Sequence, residues 1–134
     1  MARPRRADQI ASPPDLTADG GLIDAGAVRR AQAALPGGPV LHDLANLFAA
    51  LGDPTRLRMV AALAHQELCV HDLASAIGQS ASAVSHHLRQ LRALGLVRGR
   101  RAGRRVYYAL DDRHVGRLYG EALDHVRHRT EGLQ

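Results

Sequence analysis

Four residues near the C-terminus have the types and the spacing of metal ligands. Asp112 and His114 form one pair, and His125 and His128 form a second pair in the same proline-free segment. Apolar residues recur between the pairs at helical spacing, which predicts a single helix. Carboxylate oxygens and imidazole nitrogens are ligands of tetrahedral zinc sites. The segment therefore predicts a metal site, provided that the two pairs can meet.

The two pairs cannot meet within one chain. His125 follows His114 by eleven positions, about 16 Å along a helix axis, whereas zinc holds nitrogen ligands at about 2.0–2.1 Å. Eleven steps of about 100° return almost to the starting direction, so both histidines lie on one face, which His128 shares. Two helices paired antiparallel about a two-fold axis would join the first pair of one chain to the second pair of the other. This arrangement predicts two equivalent sites in a homodimer.

The position of Asp112 leaves two interpretations open. Within a regular helix Asp112 and His114 would point about 200° apart, so Asp112 must precede the helix if both bind one ion. Asp is also a favoured helix cap, and a histidine near a helix end interacts favourably with the helix dipole. The four residues therefore either bind metal or only terminate a helix. One carboxylate and three imidazoles suit Zn²⁺, with Co²⁺ or Ni²⁺ as alternatives.

An upstream segment predicts a helix-turn-helix. A short amphipathic stretch ends at Gly78, Ser80 or Ser82 can cap the following helix, and a longer apolar stripe runs to about Gly95. The outward face of this second helix carries side chains that suit base edges and phosphates in a major groove. An ordinary solvated face is the alternative interpretation. The predicted DNA-binding residues on this helix are Ser82, Ser85, His86, Arg89 and Arg92.

Arginines cluster around a predicted β-hairpin directly after this helix. The sequence "VRGRRAGRRVYY" reads as two strands joined by a turn at Ala102 and Gly103. A positive hairpin beside a helix-turn-helix is a winged arrangement, in which arginines neutralise phosphates. The formal net charge of +5 at pH 7 agrees with double-stranded DNA as the partner. The predicted contacts of the hairpin are Arg100, Arg101, Arg104 and Arg105.

The composition predicts a helical domain with a tail. Of the 134 residues 46% are hydrophobic but only 3% are aromatic, so the core must rest on Leu, Val and Ala, which favour helices. We expect a flexible tail over residues 1–20 and a domain over residues 21–130, mainly α with a β-hairpin wing. No run approaches the roughly 20 apolar residues of a membrane span, and no signal peptide is apparent. With Cys69 as the single cysteine, a reducing cytoplasm is the predicted location.

Taken together, these motifs resemble the ArsR/SmtB family of bacterial metal-responsive repressors over roughly residues 40–128. The similar stretches are "LGDPTRLRMV", "ELCVHDLA", "SASAVSHHLRQLRALGLV", "AGRRVYYAL" and the closing Asp112-x-His114…His125-x-x-His128. The last is similar to the signature of the zinc-sensing branch. The resemblance implies a winged helix-turn-helix homodimer that represses transcription by binding operator DNA when metal-free. Zinc at the dimer interface would release the DNA.

The resemblance also implies an allosteric route and a departure from other branches. In similar zinc sensors, the histidine matching His125 donates to a main-chain carbonyl near the end of the DNA-reading helix, where Gly95 lies here. Family members that sense soft metals use paired thiolates around "ELCV". Here a minor metal site of Cys69, His71 and Asp72 is the remaining option, with a buried apolar Cys69 as the alternative.

Three alternative functions differ in what they require. A zinc enzyme needs an open coordination position and a general base, but four ligands fill the predicted site and no HExxH motif occurs. We therefore predict no catalysis and no small organic substrate. A nickel or cobalt sensor would take further ligands, for which Glu131 is the candidate. A metal-independent DNA-binding protein would bind DNA equally with and without zinc.

Overall fold

The computed structural model describes residues 23–132. The chain divides into two units, one ending at Gly37 and the other beginning at Gly38. The first unit contains helix α1 (Ala25–Ala34), whose first turn is capped by the carboxylate of Asp24. The predicted tail of residues 1–20 lies outside the described residues. The division at Gly37 differs from the predicted start of the domain at residue 21, and it separates α1 from the elements that follow.

The second unit contains the predicted helix-turn-helix and hairpin. Its elements in chain order are α2 (Gly38–Leu51), α3 (Pro54–His65), β1 (Leu68–Cys69), α4 (Val70–Ile77), α5 (Ala81–Ala93), β2 (Val97–Ala102), β3 (Arg105–Leu110) and α6 (Arg113–Glu131). The strands form one antiparallel sheet in the order β1-β3-β2. β2 and β3 are the hairpin, called the wing below, and its turn places Gly103 at a φ of +64°. That left-handed conformation favours glycine, as predicted for a tight turn.

Local signals in the sequence set the helix limits. Asp53 caps α3, accepting a backbone N–H at 2.9 Å, and Pro54 occupies the first helical position. Ser80 caps α5 by accepting a backbone N–H at 3.1 Å, so Ser80 rather than Ser82 is the N-cap. Gly78 ends α4. The turn between α4 and α5 is therefore short, which fixes the two helices as a pair.

An apolar core within the second unit holds α5 against its neighbours. The largest fully buried side chains come from α3, α4, α5 and the residue just before β2, and they are Met59, Val60, Leu73, Val84, Leu88, Leu91 and Leu96. The single cysteine, Cys69, is buried as well, as expected for a small apolar side chain. Among the described residues, no helix is both long and apolar enough to span a membrane.

Candidate DNA interface and metal site

The outward face of α5 presents the predicted DNA-binding side chains to solvent. Val84, Leu88 and Leu91 anchor the opposite side of the helix in the core. Four of the five predicted residues are exposed and the fifth is half-buried; in chain order they are Ser82, Ser85 (half-buried), His86, Arg89 and Arg92. The core packing thus displays hydroxyl, imidazole and guanidinium groups along one helix face.

A clamp on one flank of α5 was not predicted from the sequence. Nε of Arg56, on α3, donates to Nδ1 of His87 at 3.2 Å, and Nη2 donates to Oε1 of Gln90. His87 and Gln90 are one helical turn apart on α5, so a single guanidinium holds both. This contact joins α3 to the flank of α5. It joins residues that are 31 and 34 positions apart, a distance at which no local pattern reveals a pair.

Neighbouring arginines of the wing point to opposite faces of the sheet. The register pairs Arg100 with Tyr107 and Arg101 with Val106, and side chains alternate along each strand. The four predicted DNA contacts of the wing are all exposed: Arg100, Arg101, Arg104 and Arg105. The wing therefore presents a cationic surface around its turn, but its arginines do not all point to the same face of the sheet.

Arg100 is engaged within the chain. Its Nε lies 2.6 Å from Oε2 of Glu67, and its guanidinium carbon lies 5.3 Å from the centre of the Tyr107 ring. Because Glu67 immediately precedes β1 while Arg100 lies on β2, the arginine side chain crosses over the middle strand. Within residues 23–132, Arg100 is the one of these four arginines that forms an ion pair.

The first candidate ligand pair lies at the start of α6, where the two carboxylate oxygens of Asp112 make different contacts. Oδ1 caps the helix by accepting the backbone N–H groups of His114 at 2.8 Å and Val115 at 3.2 Å. Oδ2 lies 3.4 Å from Nδ1 of His114. The side-chain hydrogen bond with His114, together with the backbone hydrogen bonds, lowers the pKa of Asp112. The carboxylate is therefore ionised at neutral pH, as a metal ligand must be.

This pair fits two corners of a zinc site. Ligands held at about 2.0–2.1 Å in a tetrahedron are about 3.3 Å apart, close to the observed 3.4 Å between Oδ2 of Asp112 and Nδ1 of His114. The side chain of Asp112 is 49% exposed and that of His114 is 78% exposed. Their donor atoms are therefore accessible to a metal ion whose remaining ligands come from another chain.

The second pair lies near the other end of the same helix. α6 runs without interruption from Arg113 to Glu131, and His125 and His128 are exposed on it. Across residues 23–132, no three His, Cys, Asp or Glu side chains of a single chain are grouped so that they could hold a metal ion. One chain thus presents two separate ligand pairs and does not bring the four residues together.

The predicted minor site is not assembled either. Cys69 is buried, with 4% of its surface exposed, whereas His71 and Asp72 are exposed in the first turn of α4. The thiol faces the core and the other two side chains face solvent, so the three do not converge.

Gly95, the predicted relay of the allosteric route, lies close to the first ligand pair. It follows the end of α5, where its N–H donates to the carbonyl of Arg92 at 3.0 Å. Gly95, Asp112 and His114 line a common cavity of about 170 Å³. The end of α5 and the start of α6 are thus adjacent in space within this unit.

Comparison with known proteins identifies the family of this chain. Residues 53–98 match the family described as "Bacterial regulatory protein, arsR family". The chain is 50% identical over 90 residues to the HTH-type transcriptional regulator NmtR of Mycobacterium tuberculosis, a match that covers 67% of this chain and 75% of that protein. The chain belongs to the ArsR family. The predicted family is therefore confirmed.

Two further relatives of this ArsR-family protein are repressors or resistance regulators by name. The transcriptional repressor SmtB homolog of Synechocystis sp. is 57% identical over 86 residues, which cover 64% of this chain and 65% of that relative, just under two thirds. The cadmium resistance transcriptional regulatory protein CadC homolog of Staphylococcus aureus is 45% identical over 86 residues, covering 63% and 71%. Relatives of this kind are transcriptional regulators, which confirms the prediction of a regulator rather than an enzyme.

Solved structures confirm the fold of the ArsR-family chain as a winged helix-turn-helix. A homodimeric winged helix-turn-helix DNA-binding domain from Mycobacterium bovis superposes with a TM-score of 0.68 at 29% identity, covering 74% of this chain and 94% of that one. Apo-NmtR superposes with a TM-score of 0.61 at 46% identity, covering 71% and 80%. The M. bovis domain is a DNA-binding homodimer. DNA and a second copy of the chain are also the two partners predicted for this protein.

Proposed function

We propose that this protein is a metal-responsive transcriptional repressor that binds operator DNA as a metal-free dimer and is released by zinc. The observation that carries the proposal is the unbroken helix α6, which holds Asp112 and His114 at its start and His125 and His128 near its end. Both pairs are built from zinc ligands, and their separation requires a second chain.

The DNA-binding half of the proposal is supported by the polar face of α5 and the exposed arginines of the wing. Guanidinium groups on a major-groove helix suit guanine edges, and arginines on a flanking hairpin suit phosphates. The net charge of +5 has the sign that such a partner requires. The homodimeric DNA-binding neighbour at 29% identity uses the same fold.

The dimer is supported by apolar side chains that the second unit leaves exposed. On α2 these are Val40, Leu41, Leu44 and Phe48, with 42% to 62% of their surface accessible. Val126 on α6 is 59% exposed and lies between the two histidines of the second ligand pair. Exposed apolar side chains that share one helix face, as these four do on α2, indicate a protein partner, and a second copy of the same chain is the simplest one.

Each proposed zinc site combines Asp112 and His114 of one chain with His125 and His128 of the partner subunit. Bound zinc would cross-link the two helices and so favour one arrangement of the dimer over another. If the two α5 helices of that arrangement do not fit the DNA grooves, zinc lowers the affinity for DNA. DNA then lowers the affinity for zinc by the same factor. Four ligands complete a tetrahedral site, which favours zinc over nickel; the buried Cys69 offers no thiolate for cadmium at α4.

The proposed function is tested by fluorescence anisotropy of labelled DNA from upstream of the gene, titrated with protein and then with Zn²⁺. We expect tight binding without metal, release at about one zinc per chain, and recovery on addition of a chelator. Binding that zinc leaves unchanged would refute zinc as the signal. Repeating the titration with Co²⁺ and Ni²⁺ ranks the three metals, and the visible spectrum of the Co²⁺ form shows whether the site is tetrahedral or octahedral.

The route from zinc to DNA is proposed to pass from His125 of the partner subunit to the backbone near Gly95. The prediction is that His125→Gln retains metal-free DNA affinity but is no longer released by zinc, because the change removes a zinc ligand together with the second ring nitrogen that would donate to the carbonyl. His71→Gln, which alters an exposed histidine outside the proposed site, is the matched control in the same anisotropy assay. Zinc release that persists in His125→Gln would contradict the route.

A further inference from the structure

The ion pair between Arg100 and Glu67 changes what the wing can offer to DNA. Nε of Arg100 lies 2.6 Å from Oε2 of Glu67, while the Tyr107 ring lies beneath the guanidinium at 5.3 Å. The side chain is therefore folded across the sheet, from the β2 edge toward β1. Arg101, Arg104 and Arg105 remain around the turn, where no carboxylate among the described residues pairs with them.

The pair is placed so that an external anion can compete for it. Arg100 and Glu67 have 60% and 42% of their side-chain surface exposed, and a solvent-exposed ion pair is weak and sensitive to salt. A DNA phosphate oxygen can accept from the Arg100 guanidinium in the same way as the carboxylate oxygen of Glu67 does. Glu67 and a phosphate are thus alternative partners of one guanidinium.

We propose that Glu67 is a built-in competitor of DNA, which holds Arg100 away from the phosphate backbone and lowers the affinity of the wing. The inference rests on the proposed DNA-binding function. It assigns Glu67 a role as a positioning residue, acting through Arg100 and touching no DNA itself. Arg100 then serves as a phosphate contact only when Glu67 releases it.

Glu67→Gln tests the proposal because it keeps the size of the side chain and removes its charge. We expect tighter binding to duplex DNA and a steeper salt dependence, with the slope of log K against log salt larger by about 0.9, the value of one added phosphate contact. The gain in affinity should accordingly shrink by roughly 3.5-fold between about 50 and 200 mM salt. The measurement is anisotropy of the metal-free full-length protein at several salt concentrations.

Two further variants separate this mechanism from simple charge effects. Glu121→Gln removes the same charge from an exposed position on α6, and it should leave the slope unchanged. In an Arg100→Gln background, Glu67→Gln should bring no gain, because the guanidinium that Glu67 restrains is absent. Thermal unfolding of every variant verifies that the fold is retained.

The outcomes are distinct. A gain in affinity and slope that disappears in the Arg100→Gln background supports the proposal. A gain that persists in that background shows direct repulsion between Glu67 and DNA and overturns it. Weaker binding of Glu67→Gln shows that the pair braces the wing, which also overturns it. Wild-type protein that binds no duplex DNA refutes the proposed function itself, an outcome visible before any variant is made.

Discussion

At the scale of single residues, Asp112 connects helix formation to the proposed metal site. One of its oxygens caps α6 and the other lies beside His114. A helix cap normally competes with ligation for the same carboxylate, but here the two tasks fall on different oxygens. Helix formation thus orients half of the proposed ligand set in advance, before zinc or a second chain would bind.

Substitution of Asp112 should separate these two tasks. Asn is as good a cap as Asp, so Asp112→Asn should keep the melting temperature of the protein while its weaker, neutral oxygen lowers zinc affinity by at least tenfold. Asp112→Ala should lower both. Thermal unfolding without metal and competition with a chromophoric chelator measure the two quantities. Equal zinc affinity in Asp112→Asn and the wild type would show that Asp112 is only a cap.

At the scale of the elements, α5 and the wing are expected to make different kinds of DNA contact. The buried face of α5 fixes Arg89 outward on a helix suited to a groove, whereas Arg104 lies in a turn suited to the backbone. Contacts to base edges discriminate between sequences, while contacts to phosphates do not.

Alanine substitutions at Arg89 and Arg104 test this division of roles. Arg89→Ala should weaken binding to the operator by about 1–3 kcal/mol and affect unrelated DNA less. Arg104→Ala should weaken binding to both DNAs similarly and reduce the salt slope by about 0.9. Anisotropy with operator and scrambled duplexes at several salt concentrations measures both effects. A uniform loss in Arg89→Ala would place that side chain on a phosphate instead.

The elements themselves were largely predictable from local sequence. Asp53 followed by Pro54 marks a helix start, and the glycine turn with its flanking alternation marks the wing. Strand β1 was missed because two residues are too few to show alternation. The Arg56 clamp and the ion pair of Glu67 with Arg100 were missed because they join residues that are 31 to 34 positions apart.

At the scale of the whole molecule, only half of the proposed metal site is predictable from the sequence: the residues, but not how two chains bring them together. The sequence shows both candidate ligand pairs, and among residues 23–132 one chain keeps them apart on an uninterrupted helix. How two helices approach each other depends on a surface formed by residues far apart in the sequence. The structure of one chain supplies the exposed apolar residues from which the proposed dimer surface is built.

The role of α2 in the proposed dimer is tested by Phe48→Glu. Phe48 is 52% exposed, and a carboxylate on that surface should separate the chains because burying it unpaired is costly. We expect a monomer by light scattering, together with loss of tight zinc binding and of operator binding. Gln66→Glu adds the same charge at an exposed position after α3 and should remain a dimer. A Phe48→Glu variant that still dimerises would place the interface elsewhere.

The length of α6 also has a consequence for how such a sensor is tuned in a cell. Because each proposed site is completed only by a second chain, the zinc level that would trigger release depends on how many copies of the protein are present. Where the protein is so scarce that the metal-free dimer dissociates, more zinc would be needed, since the ion must then also offset the entropy of bringing two monomers together. A repressor that controlled its own expression would therefore shift its own threshold as it accumulated.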